Sequence, residues 1–180
     1  MNDTRLLILG LGNVLLGDDG VGPAVIARLR DSYVAAAGSL LLDGGTLGLA
    51  LLPYLEDAHT VILVDAVAAD APAGTLVRLE GADVGPAVAT RLSPHQVGVA
   101  DLLQGARWHD REPVRLMLLG IVPESIELGL GLSPAVRRAL PQLVDLVIHE
   151  AGLCGFPLAM SAAPMPASFD VARLLVETAP

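Results

Sequence analysis

Short aliphatic runs alternating with amphipathic stretches predict an α/β chain: three layers, with a mainly parallel five-stranded sheet covered by helices on both faces. The runs are dense in Leu, Val and Ile, as strands buried on both faces require. The segments between them repeat apolar residues at helical spacing. Several runs stop abruptly at glycine or aspartate, residues that turn a chain.

Taken in order, Leu6 to Leu9 is the first strand, closed by Gly10-Leu11-Gly12. From Val21 to Arg30, the residues Val21, Val25, Ile26 and Leu29 recur at helical spacing, with Pro23 suited to a first turn. Ser39 to Leu42 is a second strand ending at Asp43-Gly44-Gly45, and a short helix is expected over 47–56. Thr60 to Val64 is rich in β-branched residues and reads as a central strand stopping at Asp65. Thr75 to Leu79 follows a Pro-Ala-Gly turn, and Arg78 within it suggests a place near the sheet edge. His95 to Trp108 reads as a helix begun by Ser93-Pro94, and Val114 to Leu119 as the fifth strand. Residues 134–150 predict a last helix, kinked or restarted at Pro141.

Residues 1–155 read as one domain. Beyond Gly155 the composition shifts, and 157–168, rich in Ala, Pro, Ser and Met, reads as a linker. The tail 156–180 is expected to be mobile or docked on the surface, with a helical turn or two over 169–177.

Composition narrows the function classes. A chain of 180 residues with 53% hydrophobic and 17% charged residues can bury roughly 68–75% of its unfolded surface. With aromatics at 3%, the core must be aliphatic. The net charge of −9 argues against nucleic acid, whose binding needs a basic footprint, and against anionic membrane surfaces. The N-terminus lacks a basic n-region and a long apolar stretch, and no run is long enough to span a bilayer. One cysteine, Cys154, excludes an intramolecular disulfide and fits a reducing compartment. A cytoplasmic protein is expected, with Cys154 as a buried structural thiol.

Chemistry is expected beyond the carboxyl ends of the strands, where open parallel sheets bind ligands. The Gly10–Gly22 loop invites a dinucleotide reading, but Leu15 occupies the place of the third glycine, and Asp18 and Asp19 would repel a phosphate. Asp18 is the easier of the two to explain as a helix N-cap, leaving Asp19 for the cleft. Asp65 and Asp43 both suit turns. Of the four histidines, His59, His109 and His149 have charged or polar neighbours and read as surface residues, whereas His95 heads a helix among uncharged ones. Two carboxylates and an imidazole on separate loops suit a divalent metal such as nickel or zinc, with positions open for water or substrate. Their spacing alone does not bring them together. No G-x-S-x-G or H-E-x-x-H occurs.

Five blocks in register resemble the hydrogenase maturation proteases: Ile8 to Pro23, Asp43 to Gly48, Val64 to Ala66, Ser93 to Leu103 and Leu119 to Pro134. These enzymes remove a C-terminal peptide from the large-subunit precursor of nickel-iron hydrogenase once nickel is inserted. The resemblance covers about residues 5–150. It implies an α/β fold with a twisted sheet, and a catalytic and metal-binding trio of Asp19, Asp65 and His95. Asp19 stands where the family holds Glu or Asp. The resemblance also makes Asp43, Gly44, Gly45 and Thr46 a substrate-recognition segment, and implies nickel carried by the precursor. It leaves two mechanisms open: metal-assisted hydrolysis, or carboxylate acid–base catalysis with nickel as a recognition tag. A non-catalytic, nickel-dependent chaperone that holds the precursor uncut is the rival from another class.

Overall fold

The computed structural model describes residues 5–89 and 97–161. Its main sheet holds five strands: β1 (Leu6–Leu11), β3 (Ser39–Gly45), β4 (Thr60–Ala66), β5 (Leu76–Glu80) and β6 (Arg115–Ile121), in the order β3-β1-β4-β6-β5. β1, β3, β4 and β6 run parallel, while β5 pairs antiparallel with β6. β1 and β4 are buried along their whole length, which is why their sequences are unbroken aliphatic runs. β5 is an edge strand, as Arg78 suggested.

Helices α1 (Val21–Ser32) and α5 (Pro134–Leu153) cover one face, and their Val25, Ile26, Leu29, Leu143 and Val147 pack on Leu6, Ile8, Ile62 and Met117. On the other face, α2 (Leu52–Glu56), α3 (Val84–Ala89) and α4 (Val97–Trp108) pack against Leu7, Leu9, Val61, Leu63 and Leu118. Alternation along each strand divides its residues between two aliphatic cores. Each fully buried Leu, Ile or Val stabilises the fold by about 1.5–3 kcal/mol, so the two cores lock the sheet between its helices.

Three expectations change. α5 is a single helix through Pro141 rather than a restarted one. Pro141 lies on the exposed side, where the Arg137 carbonyl it leaves without a helical donor can meet water. Residues 158–160, read as linker, form strand β7 (Leu158–Met160), which pairs antiparallel with β2 (Tyr33–Ala35) in a separate ribbon. Cys154 is half-buried rather than buried. Among the described residues no helix is long and apolar enough to cross a membrane.

Candidate active site

From β1 the chain moves outward to β3, then crosses back over β1 to reach β4 on the other side. This reversal opens a crevice beyond the carboxyl ends of β1 and β4, the place where α/β sheets bind ligands. A Cβ at Gly22 would lie 2.2 Å from the Leu11 carbonyl oxygen and 2.4 Å from that of Val64. Glycine is therefore required for the first turn of α1 to wedge between the two strand ends.

Asp19 lies in the 3₁₀ turn Gly17–Gly20, which packs against β4. Its side chain is fully buried, and Oδ2 accepts the Asn13 amide at 2.7 Å. The loop folds back over it at Gly12, whose φ of 121° and whose approach to the Asp19 carbonyl both exclude a side chain. Asp65 is also buried, with Oδ1 accepting the Ala66 amide at 2.8 Å. It does not follow β4 as expected but is its penultimate residue, paired opposite Gly120 of β6. Strand alternation turns it toward the layer formed by α2, α3 and α4.

Asp18 does not cap α1. The 3₁₀ turn and α1 have no side-chain cap, and Gly20 occupies the N-cap position of the helix. The Asp18 carboxylate instead reaches the loop between β6 and α5, where Oδ2 accepts the amides of Glu124 (2.8 Å) and Ser125 (3.2 Å) and Oδ1 that of Ser133 (2.6 Å). Backbone bonds add to the stitch: Gly17 donates to Gly129 O, Gly129 to Leu15 O, and Asp18 to Ser125 O. The 122–133 loop is thus a wall of the crevice. Nothing in the sequence hinted at this, since an acid just before a helix reads locally as its cap.

Asp43 does not close the second strand as expected but lies within β3, which runs on to Gly45, beside the carboxyl end of β1 and opposite Gly10. Its Oδ1 accepts the Gly45 amide at 3.0 Å, an Asx turn that bears out its turn role and leaves Thr46 exposed. Gly44 is packed so closely that a Cβ would meet Leu9 and Leu51 at 2.7 and 2.9 Å. Gly45 adopts φ 43° and its carbonyl accepts the Gly12 amide, so this segment and the Asp19 loop are joined.

The structure therefore brings Asp19, Asp65 and the Asp43–Thr46 segment to one end of the sheet. His95 lies outside the described residues. Among the described residues no three His, Cys, Asp or Glu side chains form a metal-holding group. His59, His109 and His149 are exposed, as expected, with His109 Nδ1 2.5 Å from Glu56 Oε1. Segments 10–20, 43–48 and 64–69 contain no arginine or lysine. Buried carboxylates in such a setting can accept a proton from water or bind a cation as hard oxygen donors.

Comparison with known proteins identifies the family and the fold. The family model for hydrogenase maturation protease matches residues 23–150. The chain is 34% identical over 158 residues to the hydrogenase 2 maturation protease of Escherichia coli K12, covering 85% of this chain and 96% of that protein. It is 41% identical over 150 residues to the hydrogenase expression/formation protein HupD of Rhodobacter capsulatus, covering 82% and 69%. The solved hydrogenase-maturating endopeptidase HybD from E. coli superposes with a TM-score of 0.84 at 32% identity, covering 88% of this chain and 98% of that one.

Proposed function

Because the chain belongs to the hydrogenase maturation protease family and is a peptidase, we propose that it removes the C-terminal extension of a nickel-iron hydrogenase large-subunit precursor after nickel insertion. The observation that carries this reading is the burial of Asp19 and Asp65 at the crevice between β1 and β4, among segments without a basic residue.

In this reading Asp19, Asp65 and His95 contact nickel that arrives with the precursor. The donor set, two carboxylates and an imidazole, suits a borderline divalent ion. Bound nickel supplies Lewis acidity at the scissile carbonyl. The chain's own residues supply the proton transfers: a carboxylate takes a proton from the attacking water and returns it to the departing amine. The amides of Asn13 and Ala66 hold the two carboxylates in their orientations. Asp43, Gly44, Gly45 and Thr46 touch the precursor on the β3 side. The acidic chain and its lone cysteine support a cytoplasmic setting.

The test is intact-mass measurement of nickel-loaded and nickel-free precursor after incubation with the protein. Only the loaded form should lose its C-terminal peptide, and Asp19→Asn should slow the cut by about 10²–10⁴-fold. Equal trimming of both forms would remove nickel from recognition. Capture of loaded precursor without cleavage would favour the chaperone.

A further inference from the structure

Five leucines, Leu15, Leu47, Leu49, Leu128 and Leu130, are 50–85% exposed on the three loops that frame the crevice. An exposed leucine by itself is unremarkable, whereas a cluster around one opening marks an interaction surface. The loops are tied to one another: Gly129 exchanges backbone bonds with Leu15 and Gly17, Leu16 and Gly129 form a parallel bridge, and Gly12 donates to Gly45. Leu128 and Leu130 flank the bridging residue Gly129. Asp18, buried beneath, fixes the same loop through three amides. The leucines are thus held out to solvent on a braced frame.

We propose that this leucine rim is the docking surface for the folded protein substrate, which meets it with an apolar patch bordered by cationic side chains. The inference rests on the peptidase reading above and names what its site grips beyond the scissile segment. Any protein cut at Asp19 and Asp65 must cross these loops. The cationic border follows from charge: exposed Glu124 and Glu127 lie in the same loop as Leu128 and Leu130, and loops 12–20, 45–51 and 122–133 contain no arginine or lysine. Other large exposed apolar side chains, among them Trp108 on α4 and Met160 on β7, stand toward the other end of the sheet.

The test compares wild type with Leu128→Ser/Leu130→Ser, Glu124→Gln/Glu127→Gln and Trp108→Ser, using nickel-loaded large-subunit precursor from the source organism. Capture on immobilised protein and steady-state cleavage are both read. The double serine variant should raise KM about tenfold or more with kcat nearly unchanged and melting unaltered. The double glutamine variant should weaken capture at low salt and lose its salt dependence. Trp108→Ser should match wild type. An unchanged KM in the double serine variant, or an equal rise in Trp108→Ser, would overturn the docking surface. If wild type captures precursor without cutting it, the peptidase reading of this substrate fails. Loss of that capture in the double serine variant would still support the rim. If wild type neither captures nor cuts, both fall.

Discussion

Two buried acids at opposite ends of the sheet are held in different ways. Asp18, at the carboxyl end, accepts three main-chain amides from a loop more than a hundred residues away in sequence. Glu150 of α5, toward the amino end, is gripped by Arg78 of the edge strand, with Nε at 2.5 Å and Nη2 at 3.1 Å. Arg78 also meets Glu80, which in turn binds Arg115. The arginine bond is the main reason the Glu150 carboxyl is held below its usual range, against the opposing pull of burial. The contrast teaches what each end is for. A guanidinium clamps β5 to α5 well, but beside Asp18 it would also pair with Asp19. Amides fix a loop's shape without bringing in a competing full charge, and the crevice stays acidic.

Removing the amide-held acid tests the contrast most severely. Asp18→Ala strands three amides under a loop that forms a wall of the crevice, and should cost about 3–5 kcal/mol, read as a shifted urea midpoint. Precursor cleavage should fall with it. Asp18→Asn, which keeps two acceptor lone pairs but not the charge, should sit between the two. If Asp18→Ala unfolds like wild type, the stitch contributes nothing and the comparison collapses.

This residue also marks how far the sequence could be read. Strands buried on both faces announce themselves as aliphatic runs, so β1, β4 and β6 were legible, and Arg78 correctly put β5 at an edge. The positions of Asp19 and Asp65 followed from where those runs stop. Contacts set by tertiary structure were not legible. Local rules assign an acid before a helix to the helix, and nothing near Asp18 points to Ser133. The β2–β7 ribbon joins Tyr33 to Met160 through strands of three residues each, too short to show a period. Nothing in the sequence of Leu128-Gly129-Leu130 signals that it pairs with the Leu15–Gly17 turn.

Arg78→Gln tests the other end, with a smaller effect. Glu150 is almost fully buried, but the Arg78 side chain is 39% exposed, and solvent screening limits the loss to about 1–2 kcal/mol. The pH dependence identifies the cause. A carboxyl whose pKa is lowered by folding contributes stability above its unfolded value and loses it as pH falls through the folded one. The gap between wild type and Arg78→Gln should therefore be full at neutral pH and narrow below about pH 4, the ordinary range of glutamate. Cleavage at neutral pH should be unchanged. A gap that widens in acid would mean that Glu150 is not the partner that matters.

The smallest effect is expected at Cys154, and it separates the two ends most cleanly. Its Sγ accepts a bond from Arg115 Nη1 at 3.2 Å, at the margin of the arginine–glutamate network. Burial is the main influence on this thiol and raises its pKa; the nearby acids add to that, while Arg115 opposes it. A thiol so placed is protonated at neutral pH and a poor nucleophile. Iodoacetamide should alkylate it more slowly than free glutathione at pH 7.5, and unfolding in urea should abolish the difference. Cys154→Ser should cost less than about 1 kcal/mol, since a similar-sized hydroxyl can accept the same arginine bond. If the amino end is purely structural, neither alkylation nor the serine variant should change the rate of precursor cleavage. A rate that fell with Cys154 alkylation while the melting temperature held would show that the two ends are coupled through the sheet.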